Sequence, residues 1–232
     1  MINRLEDLII FEDSNYVGIH KGPNIPSIPE REKTGIKSIY DLATEKGLLI
    51  CHRLDKGTSG VMVLAKTADA HRELNLKFQN KEVHKFYHAI VEGGAQFENL
   101  EVDLPLSTTS RKVFVDKQDG KKALTLFSTI EKFQTFSLIE CQPKTGRQHQ
   151  IRVHLQSQNH PIVGDKTYGG GRPRLSDFKK KFNGTESAEL IQRFALHAQR
   201  IEFDAMGNSY SIACDYEKDF EVLLKIIRKW NR

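Results

Sequence analysis

Asp55 stands between two apolar runs, Leu48 to Cys51 and Val61 to Ala65, with Arg53 two residues before it and Thr58, Ser59 and Gly60 after it. A carboxylate held on a loop at strand ends can serve as a nucleophile, a general base or a metal ligand, and the glycines let a substrate approach the backbone. It can equally cap the turn or pair with Arg53. A hydrolase of glycosidic bonds would want a second carboxylate across the bond, and none is paired with Asp55 in the sequence. His149, His154 and His160 recur close together, but not at the i, i+4 spacing of a zinc helix, so no metal is expected. Gly57, Thr58, Ser59 and Gly60 lack the Gly-Lys-Ser/Thr ending of a P-loop, which argues against nucleotide hydrolysis. The three cysteines, Cys51, Cys141 and Cys214, are scattered singly and read as buried apolar fillers.

The elements that must position these residues follow from periodicity and turn chemistry. Leu8 to Glu12 and Tyr16 to His20 read as a hairpin about Asp13-Ser14-Asn15. The prolines of GPNIPSIPER impose an extended loop. Helical spacing runs over Ile36 to Thr44 and Ala68 to Glu82, and His84 to Val91 alternates as a strand carrying Tyr87. Gly94 to Lys122 is polar and poorly periodic, with RKVFV a short strand. Leu124 to Ile130 and Phe133 to Glu140 form an antiparallel pair. A helix over Arg147 to Gln156 puts Arg147, Gln150, Ile151 and His154 on one face, an odd polar stripe for a core. Arg172 to Thr185 reads as an irregular mobile loop. Phe194 to Phe203 and Ser209 to Cys214 are strands, and Tyr216 to Trp230 a closing helix. Short turns between strands outnumber crossovers, which predicts an α+β fold with a mixed, largely antiparallel sheet and flanking helices.

Composition sets the partner class. The chain of 232 residues has 35 Lys plus Arg against 30 Asp plus Glu, net +5. The excess is concentrated: Pro143 to Arg200 holds eleven basic and four acidic residues, a local +7, and the remainder is −2. Such clustering fits a nucleic-acid surface as well as a solvated face. The charged start MINRLEDLIIFED contains no signal-length apolar stretch, and no run reaches membrane-spanning length, so a cytoplasmic protein without membrane contact is expected.

Four blocks carry a resemblance. CHRLDKGTSGVMVLAKT resembles the catalytic motif of RNA pseudouridine synthases of the RluA branch. KFYHAIVEG looks like that family's tyrosine strand, TGRQHQIRVHL with HPIVGDKTYGG like its third motif, and RFALHAQRIEF like its closing strand. With the N-terminal hairpin they span roughly residues 8 to 213 in the family's order. The resemblance implies the pseudouridine synthase catalytic fold with a central cleft. It implies one catalytic domain over residues 1–232, a length that also accommodates two lobes around one cleft.

It further implies isomerisation of specific uridines to pseudouridine in structured ribosomal or transfer RNA stem-loops, without a cofactor. The base must leave the stack, which calls for a stacking ring, a basic approach and an ionised nucleophile. By the resemblance Asp55 is the nucleophile, at ring carbon 6 or at the ribose anomeric carbon, and Arg147 contacts it. Tyr87 lies against the flipped uracil with its hydroxyl a candidate for proton abstraction. Ile151 walls the pocket, unless it is ordinary core, and Arg53 enters the vacated stack or holds phosphate. Apart from the resemblance, the charge of the basic run makes Lys179, Lys180 and Lys181 candidates to extend the RNA contact. Two departures, Gly57 after Lys56 and the segment HKGPNIPSIPER, bear on substrate choice. The small RNA-binding domain that many relatives carry in front is expected to be absent, and a monomer is favoured. The competing reading is an RNA-binding or RNA-folding module that keeps the fold without catalysis.

Overall fold

Asp13 makes the first turn: its Oδ1 accepts from the backbone N–H groups of Asn15 at 2.8 Å and Tyr16 at 2.7 Å, so the chain reverses between strands β1 (Ile9–Glu12) and β2 (Tyr16–Lys21). The computed structural model describes residues 4–30, 35–109, 112–178 and 188–231. It divides into two compact units, one of Met1–Lys85 with Ala198–Asp215, the other of Phe86–His197 with Tyr216–Arg232.

In the first unit the extended loop leads into α1 (Ile39–Thr44), whose start is fixed by a capping box between Ser38 and Asp41. The helix therefore begins three residues later than the spacing from Ile36 predicts. Then come β3 (Leu49–Ile50), β4 (Ser59–Ala65) and α2 (Ala68–Gln79), capped by Thr67. All seven residues of β4 are buried, as a strand covered on both faces requires. The chain enters the second unit along β5 (His84–Glu92).

That unit continues with β6 (Leu100–Asp103), β7 (Leu106–Thr108), β8 (Val113–Val115), β9 (Leu124–Lys132), β10 (Phe136–Pro143), α3 (Gln150–Ser157) and α4 (Leu175–Phe178). The chain returns along β11 (Leu196–Ala205) and β12 (Asn208–Ala213) and closes with α5 (Lys218–Trp230). The first unit's strands run in the order β1-β2-β4-β11 with β12 on β11, and the second unit's in the order β5-β10-β9-β6. Their paired registers, β1 with β2, β2 with β4, β11 with β12, β5 with β10, β10 with β9 and β6 with β9, are antiparallel. The α+β class with a largely antiparallel sheet is what the structure has.

Three sequence expectations are corrected. Gly94 to Lys122 contains two more strands, β6 and β7, besides the one read in RKVFV. The stretch from Arg172 holds the short helix α4 and a bridge from Arg174 to Glu189, while 179–187, with Lys179, Lys180 and Lys181, lie outside the described residues. The helix read from Arg147 starts at Gln150, because His149 takes a left-handed conformation (φ 53°) and breaks the spiral. Arg147 is thus a turn residue and not part of a helical stripe.

The odd polar face of α3 is core after all, with every group satisfied. Gln150 donates to Leu124 O and Thr125 Oγ1, both at 2.9 Å, and accepts from Thr145 Oγ1 at 2.6 Å. His154 Nε2 donates to Leu104 O at 3.0 Å, which leaves Nδ1 to accept from Thr125 Oγ1 at 2.9 Å; burial lowers its pKa and favours this neutral tautomer. Arg152 is buried with Asp165 in a two-pronged pair at 2.6 and 2.8 Å, its guanidinium between the rings of Tyr168 (4.8 Å) and Phe194 (4.2 Å). Removing one partner strands a buried charge, so Asp165→Ala should cost about 3–5 kcal/mol, and Arg152→Met with Asp165→Leu should recover much of it. Urea midpoints of the three proteins test this; an Asp165→Ala midpoint equal to wild type would refute the pair's role.

Candidate active site

Within the first unit, the loop between β3 and β4 is tied down at each step around Asp55. Leu54 is buried, and the Ser27 hydroxyl both donates to its carbonyl (2.7 Å) and accepts from its N–H (3.0 Å). Thr58 N–H donates to Asp55 O at 3.0 Å, closing a turn over Lys56 and Gly57. The carbonyl of Lys56 accepts from Asn24 N–H at 2.9 Å and from the fully buried ammonium of Lys21 at 3.3 Å; that ammonium also reaches the carbonyls of Gly22 and Ile25, each at 3.0 Å. Asp55 is half-buried at the head of this clamped turn, and Arg53 is exposed. Among the described residues Arg53 makes no hydrogen bond or ion pair, so the alternative in which it neutralises Asp55 does not hold. Beyond the turn, Gly60 has φ +118°, and a Cβ there would come within 2.2 Å of Ala198 O, so only glycine lets β4 leave the loop against β11.

His52 braces the same loop. Its Nε2 accepts from Val63 N–H at 2.9 Å, and its ring lies 5.2 Å from that of Phe78. Burial, with Lys85 as a minor cause, pushes its pKa down to about 3. The folded chain therefore holds His52 neutral while the unfolded chain takes up a proton below about 6.5, so stability falls as pH drops from there towards about 3. The slope from this group is at most about 1.4 kcal/mol per pH unit. Urea unfolding at pH 7, 6 and 5 should show the loss, and His52→Gln should flatten it; a wild-type stability constant over that range would refute the assignment.

In the second unit, Tyr87 sits on β5 opposite Cys141 of β10, half-buried and packed against the cluster that contains Ile151 (6 % exposed). Tyr87 and Ile151 are thus brought onto one apolar cluster, and Ile151 is also ordinary core. Arg147 is exposed, and its Nε donates to Lys122 O at 3.0 Å.

The histidines weighed for metal are each engaged otherwise: His149 with the Tyr168 hydroxyl, His154 as above, and His160 with Glu92 O. Among the described residues no three His, Cys, Asp or Glu gather as a metal site. Cys141 and Cys214 are buried and Cys51 is half-buried; burial pushes the thiol of Cys51 up to about 12 and that of Cys141 well above its ordinary range, which suits packing and not chemistry.

The basic run is less available than its +7 suggests. Arg152 is buried on Asp165, Arg193 on Asp219 at 2.8 Å, and Arg172 pairs with Glu189 at 2.7 Å. Of the described residues of this run in the second unit, Arg147, Lys166 and Arg174 are exposed and Lys144 is half-exposed. The sequence reading missed the Ser27 and Lys21 clamps, whose partners lie 27 and 35 residues away, and His52, whose one signal was its place in the HRLD segment.

The comparisons agree on one family. A family model described as RNA pseudouridylate synthase matches residues 15–157. An uncharacterized RNA pseudouridine synthase of Chlorobaculum parvum is 40% identical over 188 residues, covering 77% of this chain and 58% of that protein. A ribosomal large subunit pseudouridine synthase D of Borreliella burgdorferi is 35% identical over 232 residues, covering 93% of this chain and 67% of that one. The chain thus spans less than two thirds of the length of the Chlorobaculum relative. Among solved structures, Human RNA Pseudouridylate Synthase Domain Containing 4 matches with a TM-score of 0.77 at 26% identity, covering 97% of this chain and 94% of that one.

Proposed function

Because the chain belongs to the RNA pseudouridine synthases of the RluA type, we propose that it isomerises specific uridines of structured RNA to pseudouridine with Asp55 as the nucleophile. The observation that carries the reading is the clamped turn: a half-buried carboxylate on a rigid loop, next to an arginine with no protein partner among the described residues. Such fixing of the attacking group is what proximity catalysis needs. The bond between ribose carbon 1′ and uracil N1 breaks, the base turns, and carbon 1′ joins ring carbon 5. N1 gains a proton, and the hydrogen of carbon 5 goes to solvent. Nothing is oxidised or reduced, so the residues proposed here suffice without a cofactor.

In this reading the Tyr87 ring stacks on the extruded uracil, and its hydroxyl takes part in removing the proton from carbon 5. Ile151 forms the apolar wall, and Arg147 holds Asp55 ionised. Arg53 fills the vacated stack or takes phosphate. The two units serve one catalytic domain acting as a monomer on ribosomal or transfer RNA in the cytoplasm. No helix among the described residues is long and apolar enough to cross a membrane.

The test uses transcripts of large-subunit ribosomal RNA and of transfer RNA carrying tritium at uracil carbon 5. Release of tritium from one of them supports the reading. Binding without release would favour the RNA-binding module, and neither would end both. Affinity should fall with salt. With Arg147 engaged on Asp55, the three other available residues of the basic run, Lys144, Lys166 and Arg174, imply a slope of log K on log salt of about −2, and Lys179, Lys180 and Lys181 would take it to about −4, at roughly 0.7 per phosphate contact. Filter retention across a potassium chloride series measures it, and a flat line would move the RNA to another surface.

A further inference from the structure

Lys85 stands apart from the chain's other buried cations. The ammonium of Lys21 has three carbonyl acceptors, Arg152 has Asp165, and Arg193 has Asp219. Lys85, half-buried at the start of β5, makes no hydrogen bond and no ion pair among the described residues. Its one cation–π contact among the described residues is with the Phe78 ring, 6.0 Å from Nζ to the centroid, at the outer limit of such an interaction.

The acidic residues of α2 and of the turn after it have other partners. Glu82 pairs with Lys77 at 2.5 Å, Asp69 with Arg72 at 3.0 Å, and Glu73 accepts from Met206 N–H at 2.9 Å. His52, which also packs on Phe78, is neutral and already accepting from Val63. Among the described residues no acceptor meets the three ammonium donors in this half-buried place, and burial alone pushes the amine down to about 8.

The placement suggests what is missing. Phe78, which carries Lys85, also packs on His52, three residues before Asp55 in the same loop. Side chains two apart on a strand share a face, so Lys85 and Tyr87 project from one face of β5. A compact ammonium with three donors suits a phosphate oxygen, whereas a neutral uracil carbonyl would leave its charge unbalanced. We propose that Lys85 binds a non-bridging phosphate oxygen of the RNA backbone beside the Asp55 loop. The proposal rests on the reading that the chain acts on RNA.

The experiment uses the transcript that releases tritium with the wild-type chain, and measures affinity by filter retention. Lys85→Met keeps a stem over Phe78 and removes the charge; it should bind about tenfold more weakly, with a salt slope about 0.7 shallower. Lys85→Arg should keep both. Wild-type affinity should drop about threefold from pH 7 to 8.5 as the amine loses its proton, while Lys85→Arg should stay level, because a guanidinium remains charged. Lys85→Met with wild-type affinity and slope would overturn the proposal, as would activity lost at unchanged affinity. If Lys85→Met melts below the assay temperature, the Lys85→Arg profile decides, and a wild-type-like fall with pH overturns it. A wild-type chain that neither binds nor isomerises any transcript overturns the RNA reading itself, whereas an active wild type with an unmoved Met variant overturns only the role of Lys85.

Discussion

Asp55→Asn should leave less than about one thousandth of wild-type turnover while keeping the fold and most of the affinity for RNA. An amide is nearly isosteric with the carboxylate but is not a nucleophile, and loss of an attacking group commonly costs several orders of magnitude. The loop should survive the change. The turn is closed through the backbone carbonyl of Asp55, and the anchoring bonds run through Leu54 and Lys56 to Ser27, Asn24 and Lys21. Tritium release in single turnover, with a thermal melt and a retention assay on the same preparation, separates the effects. Release within tenfold of wild type would remove Asp55 from the chemistry, and a collapsed melt would make it a structural cap.

How far the sequence disclosed this arrangement depends on where each group's partners lie. The run Val61 to Ala65 is apolar throughout, so the buried strand β4 was visible, and so was the hairpin, whose Asp13 bonds N–H groups only two and three residues ahead. Strands β6 and β7 were not, because LEVD and LST are too short and too polar to show a period. The start of α3 was misplaced for a local reason, since nothing in TGRQHQIRVHL marks His149 as the residue that turns left-handed. The basic run misled in a different way. Arg152 and Arg193 count as surface charge in any composition, yet they are buried by acids 13 and 26 residues away that only the fold brings to them.

The site divides along the same line. Asp55, Arg53, Tyr87, Arg147 and Ile151 could be proposed from the sequence because the family's motifs are contiguous blocks. The groups that fix the Asp55 loop could not, since Lys21 and Ser27 lie in HKGPNIPSIPER, where the chain departs from the family's usual stretch. That segment was read as bearing on substrate choice. The structure gives it a second task, holding Leu54 and Lys56 on either side of the carboxylate. Lys85 differs: it lies inside the contiguous block KFYHAIVEG, but that it lacks an acceptor among the described residues follows only from the fold.

Tyr87→Phe discriminates most sharply between the two roles proposed for that residue, because it keeps the ring and deletes only the hydroxyl. The ring is half-buried against the apolar cluster that includes Ile151, and phenylalanine fills the same space, so folding and stacking should be retained. If Tyr87 only stacks, the single-turnover rate should fall less than about tenfold, a barrier change under about 1.4 kcal/mol. A hydroxyl that shares in removing the proton from carbon 5 should cost about 100-fold or more, as general acid–base groups do. The larger loss is the expected result, with RNA affinity within a factor of about two of wild type. The rate is to be taken with enzyme in excess over RNA so that product release does not mask it, and with uridine deuterated at carbon 5 as a second substrate. If the hydroxyl moves that proton, its loss slows the step and the Phe variant shows a larger isotope effect than wild type. A Phe variant as fast as wild type, with no change in isotope effect, would reduce Tyr87 to a packing residue.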